Sequence, residues 1–100
     1  MREYSNNHEW YETQGGIATV GITQDAVKEI GEIVYVELPK LEKRVEQGQD
    51  ACIIESTKAA VDIQSPVSGT IIAVNEALAS NIALINKEPE EGGWLFRVRV

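Results

Sequence analysis

Hydrophobic positions along this chain fall mostly at every second residue, in short runs parted by glycine, proline and polar clusters. That period predicts strands rather than helices. Gly15-Gly16 separates Glu9-Trp10-Tyr11 from Ile17-Ala18-Thr19-Val20-Gly21-Ile22 and predicts a first hairpin. Thr23 then caps a short helix over Gln24 to Ile30, with Asp25 near its positive end and Gly31 as its stop. Two turns of helix do not stand alone in water, so Ala26, Val27 and Ile30 must pack onto the strands. A strand from Ile33 to Leu38 ends at Pro39, and the charged stretch from Lys40 to Glu46 turns at Gly48 into a second hairpin. Only one helix-like interval is predicted.

The second hairpin is the most informative segment. Ile53-Ile54-Glu55-Ser56-Thr57-Lys58-Ala59-Ala60-Val61-Asp62-Ile63 presents one lysine between two apolar, β-prone runs. A turn centred on Thr57 and Lys58 puts Lys58 at the tip. It places Cys52, Ile54, Val61 and Ile63 on one face and sets Ile53 opposite Asp62 on the other. The turn has neither Asn-Gly nor Asp-Gly, so local turn chemistry alone does not demand it. Gly31-Glu32-Ile33-Val34-Tyr35-Val36 recurs as Gly69-Thr70-Ile71-Ile72-Ala73-Val74, a faint internal repeat consistent with two similar halves building a flattened sandwich or barrel.

Composition narrows the function classes. A chain of 100 residues, 43% of them hydrophobic, supports one domain with one modest core and leaves no room for a second, catalytic domain. The single cysteine, Cys52, excludes an intrachain disulfide and a zinc cluster, and its place in the alternation gives it a buried apolar role. No run of about 20 apolar residues exists, and Met1-Arg2-Glu3-Tyr4-Ser5 shows no signal or transit peptide, so a cytoplasmic protein off the membrane is expected. Net charge is −7 with no basic patch, which argues against nucleic acid. The acidity reads first as a solvated surface that maintains solubility, the alternative being a surface complementary to basic patches on a partner.

Glu55-Ser56-Thr57-Lys58-Ala59 resembles the lipoyl-attachment motif of the glycine cleavage H-protein family, of the form Glu-Ser-x-Lys-Ala. The resemblance continues through His8-Glu9-Trp10, Ala18-Thr19-Val20-Gly21-Ile22-Thr23, Gly31 to Pro39, Ser65-Pro66-Val67-Ser68-Gly69, Asn75-Glu76-Ala77-Leu78 and Gly93-Trp94, in the family order. It implies a mainly β, lipoyl/biotinyl-carrier-like flattened sandwich, a barrel-sandwich hybrid with one short helix, formed by residues 1–100 as a single domain. It also implies lipoate attached covalently to Lys58, with Glu55, Ser56 and Ala59 completing the attachment motif. Biotin carriers usually place methionine on both sides of the lysine, whereas Thr57 and Ala59 stand here, and this favours lipoate.

The role implied is a non-catalytic carrier, a monomer, that shuttles the aminomethyl group of glycine. Its partners would be glycine decarboxylase (P protein), aminomethyltransferase (T protein), dihydrolipoyl dehydrogenase (L protein) and a lipoate ligase or lipoyl/octanoyltransferase. In the family the loaded arm folds back onto a surface cleft where carboxylates hold its amine. The matching positions are Glu9 and Asp62, and partial desolvation there would strengthen the pairing. Glu29 occupies a position where some members carry a histidine facing the arm. His8, the only histidine, is implied to have a structural or cleft-edge role.

The chemistry of such a carrier agrees with the hairpin. An amine that accepts a cofactor acid and then swings it between active sites must be exposed, sterically open and mounted on something rigid. Ser56, Thr57, Ala59 and Ala60 leave room for a ligase, and tethering makes each later encounter effectively intramolecular. Two departures stand against the family pattern: members usually continue past the Gly-Trp strand into a helical segment whereas this sequence stops at Val100, and Glu90 replaces a tyrosine in Pro89-Glu90-Glu91-Gly92-Gly93-Trp94. Two other functions use the same features: an H-like lipoate reservoir or relay for protein lipoylation, and an unmodified interaction module that keeps the fold.

Overall fold

A computed structural model describes residues 2–5 and 8–100. The elements run β1 (Arg2–Tyr4), β2 (Glu9–Gln14), β3 (Ile17–Ile22), α1 (Gln24–Ile30), β4 (Ile33–Glu37), β5 (Arg44–Val45), β6 (Asp50–Ser56), β7 (Ala60–Gln64), β8 (Gly69–Val74), α2 (Ala77–Ser80), α3 (Ala83–Lys87) and β9 (Phe96–Arg99). They form two open antiparallel sheets, a six-stranded one in the order β1-β2-β3-β9-β8-β5 and a three-stranded one in the order β4-β6-β7. Val20, Ile22, Ile71, Phe96 and Val98 of the larger sheet bury their side chains in one core with Ile33, Cys52, Ile54 and Ile63 of the smaller. This is the mainly β sandwich that the family resemblance implied, built from the strands that the alternation predicted.

Local chemistry accounts for the joints. The first hairpin turns on Gly15 and Gly16, with φ of 59° and 78°, the left-handed pair that a two-residue turn between twisted strands requires. Thr23 caps α1 by accepting from the Ala26 N–H at 3.1 Å, and Gly31, at φ 98°, ends it by donating its N–H to the Val27 carbonyl at 3.0 Å. Ala26 is fully buried under the helix, with Val27 and Ile30 packed at the edge of the core.

The internal repeat has a structural counterpart. In β4 the register slips between Ile33 and Tyr35, leaving Val34 as the extra residue of a bulge. In β8 it slips between Ile71 and Ala73, leaving Ile72 in the same relative place. On the outer edge of β8, the Glu42 N–H bonds the Ile71 carbonyl at 2.7 Å and the Ile71 N–H bonds the Lys43 carbonyl at 2.9 Å. On β4 the amide side chain of Asn86 does both jobs: it accepts from the Ile33 N–H at 2.8 Å and donates to the Ile33 carbonyl at 2.9 Å. A side chain thus imitates a strand edge where the second half of the chain has turned helical.

That helical stretch departs from the expected single helix. Besides α1 there are α2 and α3, short turns whose Leu78 and Ile85 close one end of the core. Segments of four and five residues are too short to display a 3.6-residue hydrophobic period, so the pattern that exposed α1 was silent here. β4 also ends at Glu37, one residue before the expected Leu38.

Candidate functional site

The β6–β7 hairpin has the expected register. Ile54 faces Val61, Ile53 faces Asp62 and Glu55 faces Ala60, with Cys52, Ile54 and Ile63 buried. The four-residue turn from Ser56 to Ala59 closes with the Ser56 N–H on the Ala59 carbonyl at 2.8 Å. The chemistry missing from the turn sequence comes from the Ser56 hydroxyl. It accepts from the N–H groups of Lys58 and Ala59, each at 3.0 Å, and so stands in for a backbone turn. Ser56 therefore builds the tip that presents Lys58.

The tip is also held from outside. The Thr57 N–H donates to the Glu32 carbonyl at 3.1 Å, tying the turn to the link between α1 and β4. The aliphatic stem of Lys58 lies over Gly31, where an added Cβ would stand 3.5 Å from Lys58 Cδ. Thr57, Lys58, Ala59 and Ala60 are all exposed. Glu55, Ser56, Lys58 and Ala59 are thus gathered on one small, open, rigid projection.

The two candidate arm carboxylates lie elsewhere and apart from each other. Glu9 begins β2 and is only 2% exposed. Its Oε1 accepts the Ser5 hydroxyl at 2.9 Å, while Oε2 is buried with no hydrogen-bond partner among the described residues. Burial pushes its pKa up against the opposing pull of Ser5 and His8. It faces a cavity of about 210 Å³ whose walls include Ser5, Tyr11, Gln64 and Ser65. Asp62 is exposed on β7 and lines a different cavity with Glu37, Lys40 and Lys43. β7 connects the two: Ala60, Asp62 and Gln64 share one face of this edge strand, at roughly 7 Å per two residues. Alternate residues of β7 thus run from the tip through Asp62 to Gln64, which stands at the wall of the Glu9 cavity.

Glu29 and His8 pair with each other, Oε2 to Nε2 at 3.6 Å, on the wall of a polar cavity that they share with Tyr4, Asp25 and Glu90. Cys52 is buried, and burial, with the charge of Glu37, pushes its thiol up to about 12. Among the described residues no group of three or more His, Cys, Asp or Glu side chains is placed to hold a metal ion. Likewise, no helix among them is long and apolar enough to cross a membrane. Sequence reasoning missed Gly31 and Glu32 as supports of the tip and Ser5 as the partner of Glu9. None of the three carries a signal until the chain is folded.

Comparison with known proteins adds a second line of support. A sequence model described as glycine cleavage H-protein matches residues 2–100. The chain is 45% identical over 100 residues to the glycine cleavage system H protein of Thermotoga maritima, covering 100% of this chain and 81% of that one. It is 48% identical over 97 residues to the protein of the same name from Alcanivorax borkumensis, covering 97% and 76%. In three dimensions it matches the crystal structure of a glycine cleavage system H protein from Mycobacterium marinum with a TM-score of 0.92 at 38% identity, over 98% of this chain and 82% of that one.

Proposed function

The chain belongs to the glycine cleavage H-protein family, and from that premise we propose that it is the lipoyl carrier of a glycine cleavage system, with lipoate attached to Lys58. The observation that carries the reading is the exposed lysine on a turn built by its own motif serine. The residues fit the group. Small neighbours leave the amine accessible, and the lysine stem lies beside Gly31, where even an added Cβ would stand at ordinary van der Waals distance.

When attached, lipoate would supply an oxidised dithiolane as the acceptor for the aminomethyl group of glycine. The protein's own part is mechanical and electrostatic. Ser56 and the strands beneath it fix the origin of the arm, so the carried group samples a limited volume around each partner. Asp62 and Glu9 attract the ammonium of a returning arm along β7. Oε2 of Glu9, without a partner among the described residues, offers a desolvated acceptor, where a charge-assisted hydrogen bond is stronger than in water. Neither residue performs covalent chemistry, and the protein is a non-catalytic subunit. Its partners are the glycine decarboxylase, the aminomethyltransferase, the dihydrolipoyl dehydrogenase and the enzyme that attaches lipoate.

The test is exchange of labelled bicarbonate into the carboxyl group of glycine, catalysed by a glycine decarboxylase with the lipoylated protein as acceptor. Exchange is expected with the wild type and absent with Lys58→Arg. Neutralising both Glu9 and Asp62 should leave attachment intact and shorten the lifetime of the loaded form by something like tenfold to a hundredfold, the factor for a lost charged hydrogen bond. An unchanged lifetime would refute the cleft roles. Wild-type protein that supports no exchange yet passes lipoate to other carriers would make it a relay instead.

A further inference from the structure

Glu90, which replaces the tyrosine of the family pattern, is the centre of a clamp joining three parts of the chain. Its Oε2 accepts the Gln24 N–H, the first amide of α1, at 2.9 Å. Its Oε1 accepts the Tyr4 hydroxyl at 2.9 Å and lies 3.4 Å from Arg2 Nη1. The same Nη1 donates to the Glu90 carbonyl at 2.8 Å. Arg2 is fixed in turn, by Glu12 at 3.1 Å and by stacking 4.0 Å from the centre of the Trp10 ring. The Trp10 indole N–H closes the circuit on the Pro89 carbonyl at 3.0 Å. The Arg2 and Glu90 side chains are 22% and 26% exposed, which keeps their pairing partly screened from water.

Just past the far end of α1 is its cap, Gly31, beside which the Lys58 stem lies, and the following carbonyl, that of Glu32, holds the Thr57 N–H. Seven residues of helix span roughly 10 Å, so α1 is a short strut between the Glu90 clamp and the lysine tip. Thr23 alone supplies one side-chain bond to the first turn of the helix, and Glu90 supplies another from the opposite end of the chain. We propose that Glu90 is a positioning residue for the carrier lysine: by pinning the start of α1 to β1 it fixes the Gly31–Glu32 corner and thereby the orientation in which Lys58 is presented. The functional half of this inference rests on the carrier reading above, whereas the mechanical half does not.

The experiment compares the full-length wild type with Glu90→Gln and Glu90→Ala. It measures amide hydrogen exchange at Gln24, Gly31 and Thr57, together with kcat and KM for lipoylation by a lipoate ligase. Loss of the clamp in Glu90→Ala should speed exchange at all three amides by roughly tenfold or more, the factor for losing a hydrogen bond to a charged group. It should raise the ligase KM several-fold while kcat stays within about twofold, because the amine itself is unaltered. Glu90→Gln, which keeps an acceptor for Gln24, should fall between, and it carries the test if Glu90→Ala does not fold. Faster exchange confined to Gln24, with Gly31, Thr57 and KM as in the wild type, would overturn the proposal. If the wild type itself accepts no lipoate, the carrier reading fails, and the exchange rates at Gly31 and Thr57 still decide the clamp.

Discussion

Ile54→Ala tests the register of the lysine hairpin, because a slip of one residue would exchange its inner and outer faces. Ile54 is fully buried and sits in the middle strand of its sheet, between Val36 and Val61. The substitution removes three carbon centres, worth about 2.4 kcal/mol at 0.8 kcal/mol each, and the cavity left in a core closed by Val20, Ile63 and Phe96 brings the cost toward the upper part of about 2–5 kcal/mol. Ile53, on the opposite face beside Asp62, is only half-buried, and its replacement by alanine should cost about 1 kcal/mol. Urea unfolding followed by tryptophan fluorescence would give both values. In heat, with about 4–8 °C lost per kcal/mol for a domain of this size, Ile54→Ala should melt at least 10 °C below Ile53→Ala. Equal costs at the two positions, or a larger one at Ile53, would show that the register is wrong and that Lys58 is not at the tip.

Lys58→Ala should change stability by no more than about 0.5 kcal/mol in the same assay, since the side chain is exposed and the turn is closed by Ser56; a loss of several kcal/mol would make the lysine structural. Glu9 holds its proton more tightly folded than unfolded, so its contribution is fully present below the ordinary carboxylate value and fades as pH rises through its raised pKa. Thermal midpoints should therefore fall, from about pH 4.5 upward, more for the wild type than for Glu9→Gln, and parallel curves would refute the burial argument. Cys52, pushed up to about 12, should stay unreactive toward a thiol reagent at pH 8 in the folded protein and react fully in denaturant; rapid labelling in the native state would mean the sheet opens.

Those elements with local chemistry of their own were legible in the sequence. Thr23 and Gly31 bracket α1 because capping is decided within a few residues, and the face assignments of Ile53, Ile54 and Asp62 followed from period two alone. The stabiliser of the turn was not legible as such, since Ser56 completes it by a side-chain bond that no turn dipeptide advertises. α2 and α3 were too short for periodicity, and β1, three residues pinned by its pairing with β2 and by Glu90, has little pattern to show. Glu9 and Asp62 came as a pair from resemblance, whereas the fold sets them on separate cavities joined by one strand edge. The clamp at Glu90 depends on contacts across 66 to 88 positions of sequence, beyond the reach of any local pattern.

The most direct test of the carrier assignment is intact mass after incubation with a lipoate ligase, ATP and lipoic acid, followed by peptide mapping. The account predicts a single added lipoyl group, located on Lys58 and absent from Lys58→Arg, with Lys40, Lys43 and Lys87 unmodified. No addition to the wild type, or equal addition to the arginine variant, would contradict it.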